Sequence, residues 1–444
     1  MSRLPEFVSI DPVTGEQFAE RASMTPSEWQ SQLVSLERTA KQWRSVAIQV
    51  RLAGLLRLAA LLRENKAALS DLCTREMGKL PTEADDEIER SANWCEFMAK
   101  RVPGWLADEV NPTGTIKRVP HGVVLAITPW NYPVWQIFRP LAAAVATGNV
   151  VALKPAPNVA VVSAAVEALV AEAFPMPVMR CLWVDTADVK DVIAHPDVHM
   201  VVLTGSEAAG RAVGAAAGAA LKPCVLELGG NNPFILLEDA DIEAAAQAAA
   251  ESRCLNAGQA CTAAKRFFVH ERVHDAFKAA LIRAFRTWQP GVNLAPLARS
   301  DIHVRLTQQV EQSIAMGASL IELGSRKTQG LYFAPTLLTH VSPGMPVFDE
   351  ECFGPVAALI PFADIDEAIA LANQVPQRLA AAIWSRDEDR AQSIGLALGT
   401  GVVCVNRRPT SRFELPFAGA GTSGMGSTLG QDGCLAFTRP VGMM

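Results

Sequence analysis

The sequence predicts an α/β protein of at least two domains, and three observations lead there. Its 444 residues run well past the ~250–300 at which a single hydrophobic core stops growing. From Gly122 onward, short apolar runs alternate with alanine-rich, helix-forming stretches, which is the pattern of βαβ units in a largely parallel sheet. The turn-rich segment Glu227-Leu228-Gly229-Gly230-Asn231-Asn232-Pro233 splits those runs into two series and marks the best boundary.

Thr25-Pro26-Ser27-Glu28 resembles a capping box with proline at the first helical position, and helical periodicity follows, with breaks, to about Lys100. The first series of expected strands is Val123–Thr128, Val150–Lys154, Met179–Val184, Met200–Thr204 and Val225–Glu227. The second is Phe234–Leu237, Phe267–His270, Val356–Ile360, Ala381–Trp384 and Val402–Val405. No internal repeat or low-complexity linker interrupts them.

Half of the residues are hydrophobic and 19% are charged, a globular balance and not a disordered one. A net charge of −6 without long basic runs argues against binding a nucleic-acid backbone. Alanine-rich stretches such as 212–221 fall short of the ~18 apolar residues of a membrane span. The leucine-rich segment after Val50 is broken by Arg51, Arg57 and Arg63 and reads as an amphipathic helix. Residues 1–11 lack the charged-then-apolar layout of a signal peptide, so the cytoplasm is the expected location. The nine cysteines include no C-x-x-C pair, so no zinc knuckle, redox dithiol or other metal site is expected. Most of them read as small core hydrophobes.

Two glycine loops invite comparison. Gly419-Ala420-Gly421-Thr422-Ser423-Gly424 matches G-x-G-x-x-G but follows no strand, opens no helix and has little chain after it, so it reads as a plain loop. Gly205-Ser206-Glu207-Ala208-Ala209-Gly210 is better placed, between an expected strand and an expected helix, where free N–H groups and a dipole end suit a phosphate. An ordinary strand-to-helix turn accounts for it as well. Gly258-Gln259-Ala260-Cys261 sets a thiol after a glycine turn, a nucleophile if its pKa is lowered and a core residue otherwise. Glu227 ends an apolar strand, where parallel sheets bind ligands and where ion pairs are also common. Pro129-Trp130-Asn131-Tyr132-Pro133 is a rigid turn that either presents the Asn131 amide as a donor or simply packs aromatics.

Taken together and in order, six motifs resemble the aldehyde dehydrogenase superfamily, over nearly the whole chain. They are Thr128-Pro129-Trp130-Asn131-Tyr132-Pro133, Lys154-Pro155-Ala156, Gly205-Ser206 with Gly210, Glu227-Leu228-Gly229-Gly230, Gly258-Gln259-Ala260-Cys261, and Glu351-Cys352-Phe353-Gly354-Pro355-Val356. The resemblance implies a Rossmann-like cofactor domain (1–101 and 120–229), an α/β catalytic domain (230–428) and a small oligomerisation element (102–119 and 429–444). It implies that Cys261 attacks the aldehyde, that Asn131 and the Cys261 N–H hold the oxyanion, and that Glu227 activates water to release a free acid. Lys154 and Glu351 would contact the two riboses, Phe353 would pack beside the nicotinamide ribose, and the Gly205–Gly210 turn would lie near the pyrophosphate. Thr128, Pro129, Trp130, Pro155, Ala156, Pro157 and Leu228 complete the expected cofactor surface. A homodimer or homotetramer is expected by the same analogy.

Within the family, Asn256–Phe267 and Pro296-Leu297-Ala298-Arg299 look like succinate-semialdehyde dehydrogenases. Arg139, eight residues after Asn131 and about two turns on if the segment is helical, matches an arginine that binds the substrate carboxylate in some relatives. A structural ion pair is the equal alternative. Pro157 stands where many NAD-preferring relatives carry an acid that repels a 2′-phosphate, so NAD or NADP is expected, with NADP accepted and a preference for it the stronger alternative. The loop Pro416–Thr428 departs most from the family: Ala418 replaces a glycine, Gly421 a lysine, and Ser427-Thr428 an Arg-Glu pair. Two competing readings stand beside this one. The chain could be a catalytically impaired relative kept for binding or assembly, or a cysteine hydrolase. For the latter, none of the seven histidines makes a recognisable pair with Cys261 in sequence.

Overall fold

The computed structural model describes residues 7–323 and 330–444. The helix Pro26–Trp43 starts at the capping box: the Glu28 N–H donates to the Thr25 hydroxyl, and Glu28 Oε2 accepts from the Thr25 N–H at 2.7 Å. Helices Ile48–Glu64, Lys66–Met77 and Pro81–Trp105 follow, so the helical region runs slightly beyond Lys100.

These helices pack on a sheet ordered Cys224–Glu227, Met200–Thr204, Val123–Ile127, Val150–Lys154, Met179–Cys181, all neighbours parallel. The chain builds outward from Val123–Ile127 in one direction and returns to build in the other. The crevice between Val123–Ile127 and Met200–Thr204 is therefore a topological switch point, where open α/β sheets bind ligands at the carboxyl ends of their strands. A short strand from the far end of the chain, Gly424–Met425, pairs antiparallel with Glu227 and Leu226. The expected boundary places that stretch with the second unit; its hydrogen bonds place it on the first sheet.

The second sheet is ordered Ser319–Glu322, Thr336–Thr339, Val356–Phe362, Ala264–His270, Asn232–Leu236, Ala380–Trp384, Val402–Val405, parallel except for its first strand. It has its own core, around Phe234, Phe267, Phe277 and Leu359. The strand Ala264–His270 starts three residues before the expected one because Lys265 and Arg266 look like surface residues in the sequence. Both are buried, and they donate to the carbonyls of Gly230, Asn231 and Ala372. A third, antiparallel sheet joins Glu109–Asn111, Gly114–Pro120 and Thr438–Met443. Among the described residues, no helix is long and apolar enough to cross a membrane.

Candidate active site

Three loops converge between the two large sheets. Asn131 lies on the turn after Val123–Ile127, Glu227 closes Cys224–Glu227, and Cys261 sits between the helix Ile242–Cys254 and the strand Ala264–His270. The helix carrying Arg139 begins only at Trp135, so Asn131 is on a non-helical turn and the two residues are not two helical turns apart.

The loop before Cys261 is held in a costly backbone. Asn256, Ala257 and Gly258 all adopt left-handed φ, at 54°, 53° and 72°. Such geometry in a non-glycine residue costs ~1–2 kcal/mol and persists only where surroundings over-determine it. Here they do. The Asn256 N–H donates to Glu83 Oε1 at 2.6 Å, and its side-chain amide donates to the carbonyls of Asn131 and Gln259 at 3.0 and 3.1 Å. Arg253 holds the Gly258 carbonyl at 2.6 Å. The Cys261 carbonyl accepts from Asn232 at 2.6 Å and from Lys265 at 3.1 Å.

The helix Pro81–Trp105 anchors the Asn131 side too. Glu87 accepts from the N–H groups of Val134 and Trp135 at 2.7 and 2.9 Å, opening the Arg139 helix, and pairs with the fully buried Lys79. Asn131 donates to the Gln259 carbonyl at 3.0 Å, tying one loop to the other, while its Oδ1 is buried without a partner. Sequence reasoning missed Glu83 and Glu87, which lie far from the motifs and carry no local signal of burial.

Cys261 stands where two cavities meet. The smaller, of about 220 Å³, is lined by Tyr132, Trp135, Arg139, Phe417 and the arginines Arg90 and Arg408, among others. The larger, of about 970 Å³, opens at the switch point and is lined by Thr128, Pro129, Trp130, Asn131, Lys154, Ala156, Pro157, Gly205, Ser206, Leu228, Glu351 and Phe353. Cys261 and Gln136 line both. Of the expected cofactor residues, Pro155 and Gly210 lie outside the lining. A Cβ on Gly210 would run into the Leu228 side chain, so that glycine serves close helix–strand packing. No histidine lines either cavity.

The larger cavity suits a dinucleotide. Ser206 caps the helix Glu207–Ala219, accepting from the Ala209 N–H at 3.3 Å, and leaves a positive helix end facing the cavity. Glu351 accepts from the Gly230 N–H at 3.2 Å and pairs with Lys265 at 2.9 Å. A Cβ at Gly229 would strike that carboxylate, which explains the glycine. Trp130 and Phe353 meet edge to face at 5.7 Å.

Seven of the nine cysteines are buried; Cys261 and Cys224 keep partial exposure. Burial pushes the Cys261 thiol above its ordinary pKa, opposed by the positive charges of Arg139 and Lys265. Burial also raises Glu227, to about 7, with Arg139 and the Thr428 hydroxyl pulling it down. Glu227 lines neither cavity: its Oε1 accepts from Thr428 at 3.0 Å and its Oε2 is buried without a partner. Arg139 is buried, donates to the Thr204 hydroxyl at 2.6 Å and lies 5.5 Å from the Phe417 ring centroid. Among the described residues no carboxylate lies within ion-pair distance of it, although its charge reaches Glu227. The Gly419–Gly424 loop lines neither cavity. Its Ser423 instead accepts from the Leu228 N–H at 2.9 Å and donates to the Gly229 carbonyl at 2.7 Å, clamping the turn after Glu227.

The sequence pattern described as "Aldehyde dehydrogenase family" matches residues 2–441. The chain is 37% identical over 445 residues to succinate-semialdehyde dehydrogenase (NADP(+)) of Deinococcus radiodurans, covering 98% of this chain and 93% of the relative. It is 37% identical over 443 residues to an Escherichia coli succinate semialdehyde dehydrogenase (NAD(P)+), covering 97% and 96%. Among solved structures, succinic semialdehyde dehydrogenase from Streptococcus pyogenes in complex with NADP+ superposes with a TM-score of 0.95 at 31% identity, covering 99% of both chains. The indole-3-acetaldehyde dehydrogenase AldA of P. syringae, in complex with NAD+, also gives 0.95 at 31% identity, covering 98% and 92%.

Proposed function

This chain belongs to the aldehyde dehydrogenase family, and we propose that it oxidises a short ω-carboxylated aldehyde, succinate semialdehyde or a close analogue, to the free acid. As an NAD(P)-dependent aldehyde dehydrogenase it needs a nucleophile that reaches substrate and cofactor at once. The observation that carries the reading is the position of Cys261 at the junction of a small arginine-lined cavity and a large strand-end cavity.

The Cys261 thiol gives its proton to Glu227, whose pKa of about 7 suits a base near neutrality. The sulfur then bonds to the aldehyde carbon as the carbonyl double bond opens. The Asn131 amide and the Cys261 N–H hold the resulting oxyanion; losing one such donor costs ~10²–10³ in turnover. A bound oxidised nicotinamide would supply the hydride acceptor for oxidation of this thiohemiacetal to a thioester. Glu227, having passed the thiol proton to solvent and turned from Thr428, takes a proton from water as the water oxygen bonds to the acyl carbon, and the sulfur leaves as thiolate. Lys154 and Glu351 would hold the riboses, Phe353 would pack beside the nicotinamide ribose, and Gly205 and Ser206 would face the pyrophosphate. Arg139 reads the substrate carboxylate.

Pro157, with Lys190 and Arg211 on the same cavity, supports acceptance of NADP. We place the dinucleotide-binding domain at 1–101 and 120–229, the catalytic domain at 230–428 apart from the strand Gly424–Met425, which pairs on the first sheet, and a homo-oligomerisation element at 102–119 and 429–444. A catalytically impaired relative would not need Cys261, Glu227, Asn131 and Lys154 together. A cysteine hydrolase would need a histidine that neither cavity supplies. An aldehyde panel with NAD and with NADP, followed by nicotinamide absorbance, tests the proposal. Higher kcat/KM for succinate semialdehyde than for butanal supports it; no absorbance rise with any aldehyde refutes it.

A further inference from the structure

The smaller cavity holds more positive charge than one substrate carboxylate beside Cys261 requires. Arg139 donates to the hydroxyl of Thr204, which lines the larger cavity, and so reaches toward the junction where Cys261 stands. Arg90 instead donates to Ser411, which like Arg408 lines only the smaller cavity. Arg139 therefore stands toward the junction that holds Cys261, and Arg90 and Arg408 toward the part of the smaller cavity away from the larger one.

Arg90 is held ready. It comes from the helix Pro81–Trp105, donates to the Ser411 hydroxyl at 2.7 Å and the Ser411 carbonyl at 3.2 Å, and lies 4.5 Å from the Trp135 ring centroid. Its Nε is buried without a hydrogen-bond partner. Among the described residues no carboxylate pairs with it. The acids that share the cavity are otherwise engaged: Glu87 with Lys79 and two backbone N–H groups, Glu83 with the N–H groups of Asn256 and Leu80. Asp86 sits exposed at the rim, and Glu251 only approaches Arg408, at 4.0 Å. A guanidinium taken out of water without a counter-charge is costly, and a carboxylate supplied by a ligand removes that cost with two-pronged geometry.

We propose that Arg90, with Arg408 beside it, forms a second carboxylate subsite, one step farther from Cys261 than Arg139, so that the enzyme takes semialdehydes longer than succinate semialdehyde. This rests on the reading of the small cavity as the aldehyde site. Arg90 is a specificity residue: it meets the far end of the substrate and no reacting atom.

The test compares kcat/KM for glutarate semialdehyde, succinate semialdehyde and neutral pentanal in the wild type, Arg90→Met and Arg90→Lys. Arg90→Met should lower the glutarate semialdehyde to pentanal ratio about tenfold or more, through KM, as expected for one lost charge-assisted hydrogen bond. It should lower the succinate semialdehyde to pentanal ratio less, and Arg90→Lys should recover part of the loss. An unchanged ratio in Arg90→Met, with a wild type that favours both semialdehydes, overturns the Arg90 subsite alone. A wild type that favours pentanal over both semialdehydes overturns the substrate class, and the subsite with it.

Discussion

The Thr428 hydroxyl donates to Glu227 Oε1 at 3.0 Å, both side chains being almost wholly buried, so the loop that departs most from the family pattern touches the proposed base directly. The contact exists because Gly424–Met425 pairs with the Glu227 strand and brings the following turn over it. A donor to the charged form of a carboxylate lowers its pKa. Thr428→Val removes that donor, so Glu227 should titrate higher and the acid limb of the kcat profile should move to higher pH. A pH–rate series with the same saturating aldehyde reads this; an acid limb that stays in place means that Thr428 does not hold the titrating group.

Glu227 also couples the site to stability. Its folded pKa lies above its ordinary value of 4.5, at about 7, because burial penalises the charge. The folded state therefore keeps a proton that the unfolded chain has released. The stability this represents is fully present below about pH 4.5 and is lost as pH rises through about 7. Glu227→Gln carries no charge to bury. Its stability advantage over the wild type should grow from pH 5 to pH 8, by at most about 3 kcal/mol at 1.36 kcal/mol per unit, while turnover collapses for want of a base. Denaturant unfolding of both proteins at the two pH values measures it. A constant difference would show that the carboxylate is not buried uncharged.

The Glu87–Lys79 pair is a different kind of buried charge, because each partner satisfies the other and Glu87 also caps the Arg139 helix. Lys79 further lies 3.8 Å from the Tyr132 ring centroid. Removing one member of such a pair strands the other and costs ~3–5 kcal/mol. Lys79→Met should show that loss in urea unfolding at pH 7. Removing both with Lys79→Met and Glu87→Gln should cost less than the sum of the single changes. Additive losses would mean that the two residues do not act as a unit.

The sequence carried the strands well where their residues are apolar: Val150–Lys154, Met200–Thr204 and Val402–Val405 fall where the pattern puts them. It misled where buried cations interrupt a strand, at Lys265 and Arg266, because charge reads as surface unless its carbonyl partners are known. The motif residues were legible because each is fixed by a local turn or strand end. What holds them was not: Glu83 and Glu87 reach Asn256 and Val134 across the fold, and Thr428 reaches Glu227 across 201 positions of sequence. No periodicity encodes such distant partners.

Pro157 opens a short 3₁₀ turn just after the strand Val150–Lys154 and lines the larger cavity, with Lys190 and Arg211 on the same wall set. A carboxylate placed there would bond ribose hydroxyls and repel a 2′-phosphate, while proline does neither. Pro157→Glu should therefore lower kcat/KM for NADP at least tenfold more than for NAD, a difference of about 1.4 kcal/mol in binding. Initial rates with one aldehyde and both cofactors, in both proteins, check it. The argument also binds the wild type: if the unaltered protein already favours NAD over NADP tenfold or more, the residue at 157 is not what admits the phosphate. Discrimination would then have to come from elsewhere along the same cavity.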